Sequence, residues 1–451
     1  VTAARIAVIG GGLAGITAAL RCVDAGHEVT LLEAHPYLGG LTHSFRRGEL
    51  EVDNGQHVFL RCCVSYLALL GRLQVTNLVT LQPRLAIQIR SPGLRRPVWL
   101  RRNSLPAPLH LANSILRYRP LGVGDRLRFA GAAVALGRVD PAAPSADRQS
   151  FGEWLTEHGQ SDRAVETLWD LVGVATLNAP AAGASLGLAA TVFQQGLLTQ
   201  ASAADIGWSN VPLRQLHGDP AQERLTHAGA HVLLGTKVTG LRARGGGWVV
   251  ETGDNELAVD RVALAVPPAA AERLLPPGSV DLPEHWARDL GSSPIVNVHV
   301  VFDRTVMDEP FLAAVDSPVQ WVFDRTAQSG LGVGQYIAIS MSAADEVIDL
   351  PVRDIRERIL PPLLALLPRA VDAEVRDFFV TRERHATFSP APGCGALRPP
   401  PLTRAEGLVL AGAWTATGWP ATMEGAVRSG VAAARVLLGE TVPSTPEGAS
   451  A

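Results

Sequence analysis

Near one end of the chain, Gly10-Gly11-Gly12-Leu13-Ala14-Gly15 follows directly on the apolar run Ile6-Ala7-Val8-Ile9. The spacing GxGxxG, set between a short strand and a helix, is what a backbone needs to cradle a pyrophosphate. Gly10 makes the tight turn, Gly12 lets N–H groups approach the phosphates, and Gly15 lets the helix pack closely on the strand. Leu13 and Ala14 open that helix, which is expected to run to about Asp24 and to present its positive end to the phosphate charge. Glu33 lies 23 positions after Gly10, at the end of the strand-like run from Glu28, where a carboxylate would take the ribose hydroxyls. The strand-to-helix setting and the acidic partner argue against a plain glycine turn. These residues suit the adenosine diphosphate half of a dinucleotide and by themselves leave FAD and NAD open.

Other elements must position this motif. Leu408 to Gly412 reads as an apolar strand, and Pro420 opens a helix expected to reach about Leu438, proline being well placed near a helix start. Gly235 to Leu241 and Trp248 to Glu251 alternate as a small antiparallel sheet, Val262 to Pro268 reads as a buried strand, and Val139 to Ser150 reads as an exposed loop. A chain of 451 residues, 47% hydrophobic and 18% charged, is long enough for two domains. A formal net charge of -3 argues against a nucleic-acid partner. Cys22, Cys62, Cys63 and Cys394 form no CxxC pair and close no zinc site with the scattered histidines, so buried thiols and no metal are expected. Lys237 is the sole lysine beside many arginines, a bias attributable to GC-rich coding. The strand at Ile6 comes too early for a signal peptide, and no apolar stretch reaches the roughly 18 to 20 residues of a spanning helix. The expected location is cytoplasmic, with any membrane contact peripheral on the inner face of the cytoplasmic membrane. Leu105 to Val139, with Arg117, Arg119, Arg126 and Arg128, suits such a contact with anionic lipid, or else a solvated helix pair.

The doublet Gly39-Gly40, close behind Glu33 and flanked by Ala34 and Leu41, resembles the second glycine signature of FAD enzymes in the phytoene desaturase and flavin amine oxidase superfamily. NAD dehydrogenases generally lack it, so the resemblance implies FAD. It also implies an α/β fold, a Rossmann-type FAD-binding domain with an interleaved α+β substrate domain. The FAD domain would be discontinuous over 1–70, 205–275 and 400–440, the substrate domain would take 71–204 and 276–399, and residues 441–451 would be a disordered tail. In such relatives the late strand and helix return to the flavin. Gly412, Ala413, Ala421, Thr422 and Met423 would then contact it, Gly425 would permit close approach, and Val238 would face the adenine. Two positions depart from the pattern. Ala34-His35-Pro36 stands where relatives often carry an arginine, and Ala413 stands where they carry an acid.

Asp53-Asn54-Gly55-Gln56-His57, Val211-Pro212-Leu213 with Leu216-His217, Ser293 to Val298, and Trp414 to Pro420 resemble the squalene-associated FAD-dependent desaturase family, also called hydroxysqualene dehydroxylase, over almost the whole chain. The resemblance implies reduction of hydroxysqualene to squalene and water in hopanoid or related triterpene synthesis, with a long-chain isoprenoid as substrate. It leaves the electron donor open. Exchange of an allylic hydroxyl for hydrogen needs an acid for the departing water, and His57 with Asp53 is the pair this motif offers; a structural histidine is the competing reading. Trp208, Trp414, Trp419 and Phe388 could wall the pocket. Three alternatives stay open: a carotenoid or phytoene-type desaturase, a flavin amine oxidase, and a catalytically decayed FAD- or lipid-binding protein. Restoring one charge-assisted hydrogen bond is worth about 1.5–3 kcal/mol, so Ala413→Asp should tighten FAD binding by about tenfold to a hundredfold in a fluorescence titration of the apoprotein. Unchanged affinity would show that the missing carboxylate is immaterial.

Overall fold

The computed structural model describes residues 3–440. The tail expected to be disordered, 441–451, lies outside the described residues. Arg5–Ile9, the helix Leu13–Asp24 and Glu28–Leu32 form a parallel strand–helix–strand unit, since a buried apolar strand followed by a helix with one apolar stripe must pack that stripe back on the sheet. His231–Leu233 flanks Glu28–Leu32, while Arg261–Leu264 and then Leu408–Leu410 extend the sheet on the other side of Arg5–Ile9. All four pairings are parallel. Connections therefore leave the first strand in opposite directions, which opens a crevice at its carboxyl end, where Gly10 begins.

The helix Met423–Leu437 closes this layer by crossing the first helix at a point made of small residues. A Cβ on Gly430 would lie 2.3 Å from the carbonyl oxygen of Ala14, and one on Gly15 would lie 1.9 Å from that of Gly10. Neither position tolerates a side chain without displacing backbone. A separate sheet of seven strands collects Ala86–Arg90, Val98–Arg101 and five strands between Ser292 and Phe388, dominated by the long antiparallel pair Ser292–Phe302 and Val375–Phe388. Its Val- and Ile-rich inner face packs against the helix Val352–Leu366. Val58–Leu60, Val79–Leu81 and Ile206–Ser209 form a small sheet joining the two layers.

The structure revises several expected element boundaries. Residues 235–239 are outside regular structure, and the middle sheet has three strands starting at Gly240. Val139–Ser150 is not an exposed loop: Pro144–Arg148 is helical, Ala146 is buried, and Asp147 accepts backbone N–H groups from Gly393 and Gly395. Those partners lie about 250 residues away, so no local pattern announces them. Gly430→Leu should lower unfolding free energy in urea by about 1–3 kcal/mol through overpacking at the helix crossing; an unchanged midpoint would mean that the crossing relaxes freely.

Candidate functional site

The crevice is built from backbone at the carboxyl ends of three parallel strands. Gly10, with φ +106°, turns sharply after Ile9 because a Cβ there would meet the Ala265 carbonyl at 2.3 Å. Gly12 caps the first helix without any side-chain hydrogen bond, and the nearest atom to a Cβ placed there is the Gly40 Cα at 3.9 Å. The first N–H groups of this helix thus keep their donors for an anion, with space above them. Gly39 pairs with Gly12 in an isolated bridge, and Gly40, with φ +57°, approaches so closely that its own Cβ would lie 2.9 Å from the Gly12 Cα.

Glu33 is buried, and its carboxylate accepts from the N–H groups of Gly11 at 2.6 Å and His35 at 2.8 Å. Two charge-assisted bonds fix its orientation and leave lone pairs for ribose hydroxyls. Leu13 and Ala14 are buried in the helix beneath this cradle, whereas Ala34 and Leu41 are exposed on its rim. Val238 is buried among Trp248 and Val250, within a core cluster.

At the far end, Gly412 takes φ +144° over the Trp414 indole, whose N–H donates to the Val266 carbonyl at 3.0 Å. The loop from Ala413 to Trp419 is gathered by Arg398, a buried guanidinium that donates to the carbonyl oxygens of Ala413, Trp414, Thr415 and Trp419. Burial lowers Arg398 to about 10, and its guanidinium lies 4.5 Å from the Phe388 ring centroid. Thr422 caps the helix Met423–Leu437 by accepting from the Gly425 N–H at 3.1 Å, while Ala421, Thr422 and Met423 remain half-buried at its start. Glu424 faces away from the cleft: its carboxylate accepts from the N–H groups of Ser65 and Tyr66 and pairs with Arg428, capping the helix Val64–Leu73. Arg398 and Glu424 were not singled out from sequence, because Arg398 serves the carbonyls of an irregular loop that no side-chain pattern marks, and Glu424 caps a helix 358 residues away.

The turn Asp53–His57 lies between the two large sheets. Asp53 accepts from Ser44 at 2.7 Å, from the Leu213 N–H at 2.9 Å and from Arg325 at 2.5 Å, and both members of this ion pair are buried. Those bonds serve Asp53 in place of one to His57. Asn54 reaches Glu383 and the Leu41 carbonyl, and Asn297 and Thr381 donate to the Asn54 carbonyl. His57 is half-buried beside this network, and burial pushes it down to about 4 against the opposing charge of Asp53. His217 is driven further, to about 3, and hydrogen-bonds the Tyr66 hydroxyl at 2.8 Å. Three buried polar atoms here, Gln56 Nε2, His217 Nδ1 and Asn297 Oδ1, have no protein partner. The uncapped helix, the oriented Glu33 and these orphaned atoms fit a bound dinucleotide with polar ring edges. No sheet ladder or ion pair consumes those groups.

A family model described as flavin containing amine oxidoreductase matches residues 13–438. The chain is 30% identical over 460 residues to the hydroxysqualene dehydroxylase of Sinorhizobium fredii, an alignment covering 97% of this chain and 99% of the relative. It is 25% identical over 484 residues to the zeta-carotene desaturase of a Synechocystis strain, covering 96% and 97% of the two chains. Among solved structures, a cyclohexylamine oxidase from Brevibacterium oxydans shares the fold at a TM-score of 0.70 and 19% identity, covering 97% of this chain and 99% of that one.

The neutral buried histidines make stability pH-dependent. His217 and His299 are lowered to about 3 by burial, so the unfolded chain takes protons near pH 6.5 that the native state refuses. Their contribution is full above about pH 6.5 and is lost as pH falls toward the folded values. Urea midpoints should fall between pH 6.5 and 4, less steeply in His217→Gln; an equally steep fall would remove His217 from the account.

Proposed function

The chain belongs to the flavin containing amine oxidoreductase family and is an FAD-dependent oxidoreductase, and on that premise we propose that it reduces hydroxysqualene to squalene and water. The observation that carries the reading is the near full-length similarity to a relative of that name. Gly10, Gly12, the first turn at Leu13 and Ala14, Glu33 and Gly39-Gly40 would hold the adenosine and pyrophosphate of FAD. Gly412, Ala413, Ala421, Thr422, Met423 and Gly425 would border the flavin ring. When bound and reduced, FAD supplies the hydride that replaces the hydroxyl.

The chain's own residues must supply a proton and keep water away. His57 is neutral at pH 7, and its ring can orient the hydroxyl by a hydrogen bond. Once protonated, it is a stronger acid than a free histidine, because burial penalises the charged ring. Asp53 acts through the turn: with Arg325, Ser44 and the Leu213 N–H it fixes where the His57 ring stands. A carotenoid-type desaturation of a polyene precursor is the second reading, favoured by the similarity to zeta-carotene desaturases.

The proposed partner surface is an anionic bilayer. The helix Val123–Leu136 exposes Val123, Leu127 and Val134, and Leu105, Leu109 and Leu116 are exposed just before it. Val123, Leu127 and Val134 share one face at helical spacing, although that face meets solvent. Arg117 and Arg119 are exposed around it, Arg128 is exposed and paired with Asp125, and Arg126 is engaged with the Leu116 and Leu121 carbonyls. Apolar side chains ringed by arginine match a lipid surface of negative charge. Among the described residues no helix is long and apolar enough to cross a membrane.

The test is anaerobic turnover of hydroxysqualene by holoenzyme reduced with dithionite, with squalene followed by mass spectrometry. His57→Ala should retain FAD absorbance and lose about a hundredfold or more in rate, the scale of a positioned acid. Undiminished turnover would sink the role of His57, and a parent that makes no squalene would sink the dehydroxylase reading.

A further inference from the structure

The long strand Ser292–Phe302 breaks the apolar pattern of the sheet it crosses. Val296, Val298 and Val300 belong to the core packed on the helix Val352–Leu366, while Asn297 and His299, which alternate with them, are polar and fully buried on the opposite face. That face meets the turn carrying His57. Burying two polar side chains is unfavourable unless each finds partners, and here the partners form one continuous chain.

Asn297 and Thr381, cross-strand neighbours on Ser292–Phe302 and Val375–Phe388, both donate to the Asn54 carbonyl at 3.2 Å. A carbonyl can only accept. The Thr381 hydroxyl therefore places its proton there and itself accepts from His299 Nε2 at 3.0 Å. Burial pushes His299 down to about 3, so the ring is neutral, and its unprotonated Nδ1 accepts from the Tyr336 hydroxyl at 2.6 Å. Phe379 stacks on the His299 ring at 4.5 Å between centroids and fixes its plane. One order of protons satisfies every contact from Tyr336 to Asn54.

We propose that Thr381, ordered by His299 and Tyr336, is a positioning residue for His57, because it fixes the Asn54–Gly55 peptide beneath the His57 ring. The proposal rests on the reading that His57 orients the substrate, and it adds a second anchor beside the one at Asp53.

Two observations join the hydrogen-bonded chain to the ring. A Cβ on Gly55 would lie 3.3 Å from His57 Nε2 and 3.7 Å from Asn297 Nδ2. The ring thus leans over Gly55 on the side of Asn297, and a shift of the Asn54–Gly55 peptide moves the surface against which it stands. The two donors also fill both lone pairs of the Asn54 carbonyl, so the peptide cannot rotate without breaking bonds to two strands. Without Thr381 the carbonyl keeps a single donor and gains a pivot. Asn297, its amide nitrogen committed to this carbonyl, leaves Oδ1 buried without a protein partner, a penalty characteristic of functional sites rather than of strands built for stability alone.

The test uses FAD-loaded enzyme and reads both turnover of hydroxysqualene and the His57 ring. Thr381→Val keeps the side-chain shape and removes the donor. FAD content and thermal unfolding identify folded variants, and Tyr336→Phe, which removes the far donor, replaces Thr381→Val if that variant does not fold. The expected loss in kcat is about tenfold, the scale of a small misplacement of a reacting group, with KM within twofold of the parent. Thr381→Ser, which keeps the donor, recovers at least threefold of that loss. In a His57→Ala background Thr381→Val costs less than twofold, because the group it positions is gone. A folded Thr381→Val with kcat within threefold of the parent overturns the proposal, as does a loss as large in the His57→Ala background as in the parent. In holoenzyme labelled with nitrogen-15 histidine, the His57 ring resonances, identified by their absence in His57→Ala, shift in Thr381→Val. A parent that makes no squalene rejects the dehydroxylase reading, and the ring resonances then decide alone: unmoved in folded Thr381→Val, they overturn the proposal.

Discussion

The buried pair of Asp53 and Arg325 ties the cofactor layer to the seven-stranded sheet, and the site's shape depends on it. Removing two charges from water costs several kcal/mol per ion, which is recovered only when the remaining lone pairs and protons are also satisfied. Here they are: Ser44 and the Leu213 N–H complete the carboxylate, and the Ser209 carbonyl lies against the guanidinium. Three segments far apart in the chain, the hairpin carrying Ser44 and Asp53, the turn at Leu213 and the turn at Arg325, thus meet at one carboxylate. Deleting either charge would strand its partner in low dielectric, so the turn carrying His57 is held in one position.

That convergence also explains what could be read from the sequence. GxGxxG with Glu33 was legible because a pyrophosphate cradle is local: its spacing, its strand and its helix all fall within about thirty residues. The first helix begins at Leu13 and ends at Asp24 as expected, and the late strand appears at Leu408–Leu410. Asp53 and His57 were legible as a motif, but not the division of labour between them, since Arg325 lies 272 residues from Asp53. Arg398 is the same case, an arginine among many whose value comes from four carbonyls of a loop that is close only after folding. Pro144–Arg148 reads as loop because Pro, Ala and Ser dominate locally, yet its stability comes from docking Asp147 against Gly393 and Gly395.

Both ends of the cofactor crevice use helix N-termini, in different ways. The first helix has no side-chain cap and keeps its donors for an anion, whereas the last is capped by Thr422. Glu424, in the first turn of the last helix, is turned back to cap the helix Val64–Leu73. Its carboxylate is thus occupied by that helix terminus and by Arg428. The loop at Ala413 is shaped by Arg398 through carbonyl oxygens, without a carboxylate of its own.

Both directions of the redox chemistry move a proton, and the surroundings of His57 set what that ring can do with one. Desaturation must hand a proton to the enzyme, and dehydroxylation must take one from it. A histidine lowered to about 4 is a poorer base than a free imidazole by more than two decades in proton affinity, and by the same margin a stronger acid once charged. The cause is burial, which Asp53 only partly offsets because Arg325 answers its charge. At neutral pH the His57 ring is uncharged, so it accepts a proton poorly and holds no imidazolium proton to give, and its part in either direction is to orient the substrate by a hydrogen bond. The ion pair that fixes the turn therefore also sets, through its own neutrality, how little of the Asp53 charge reaches His57.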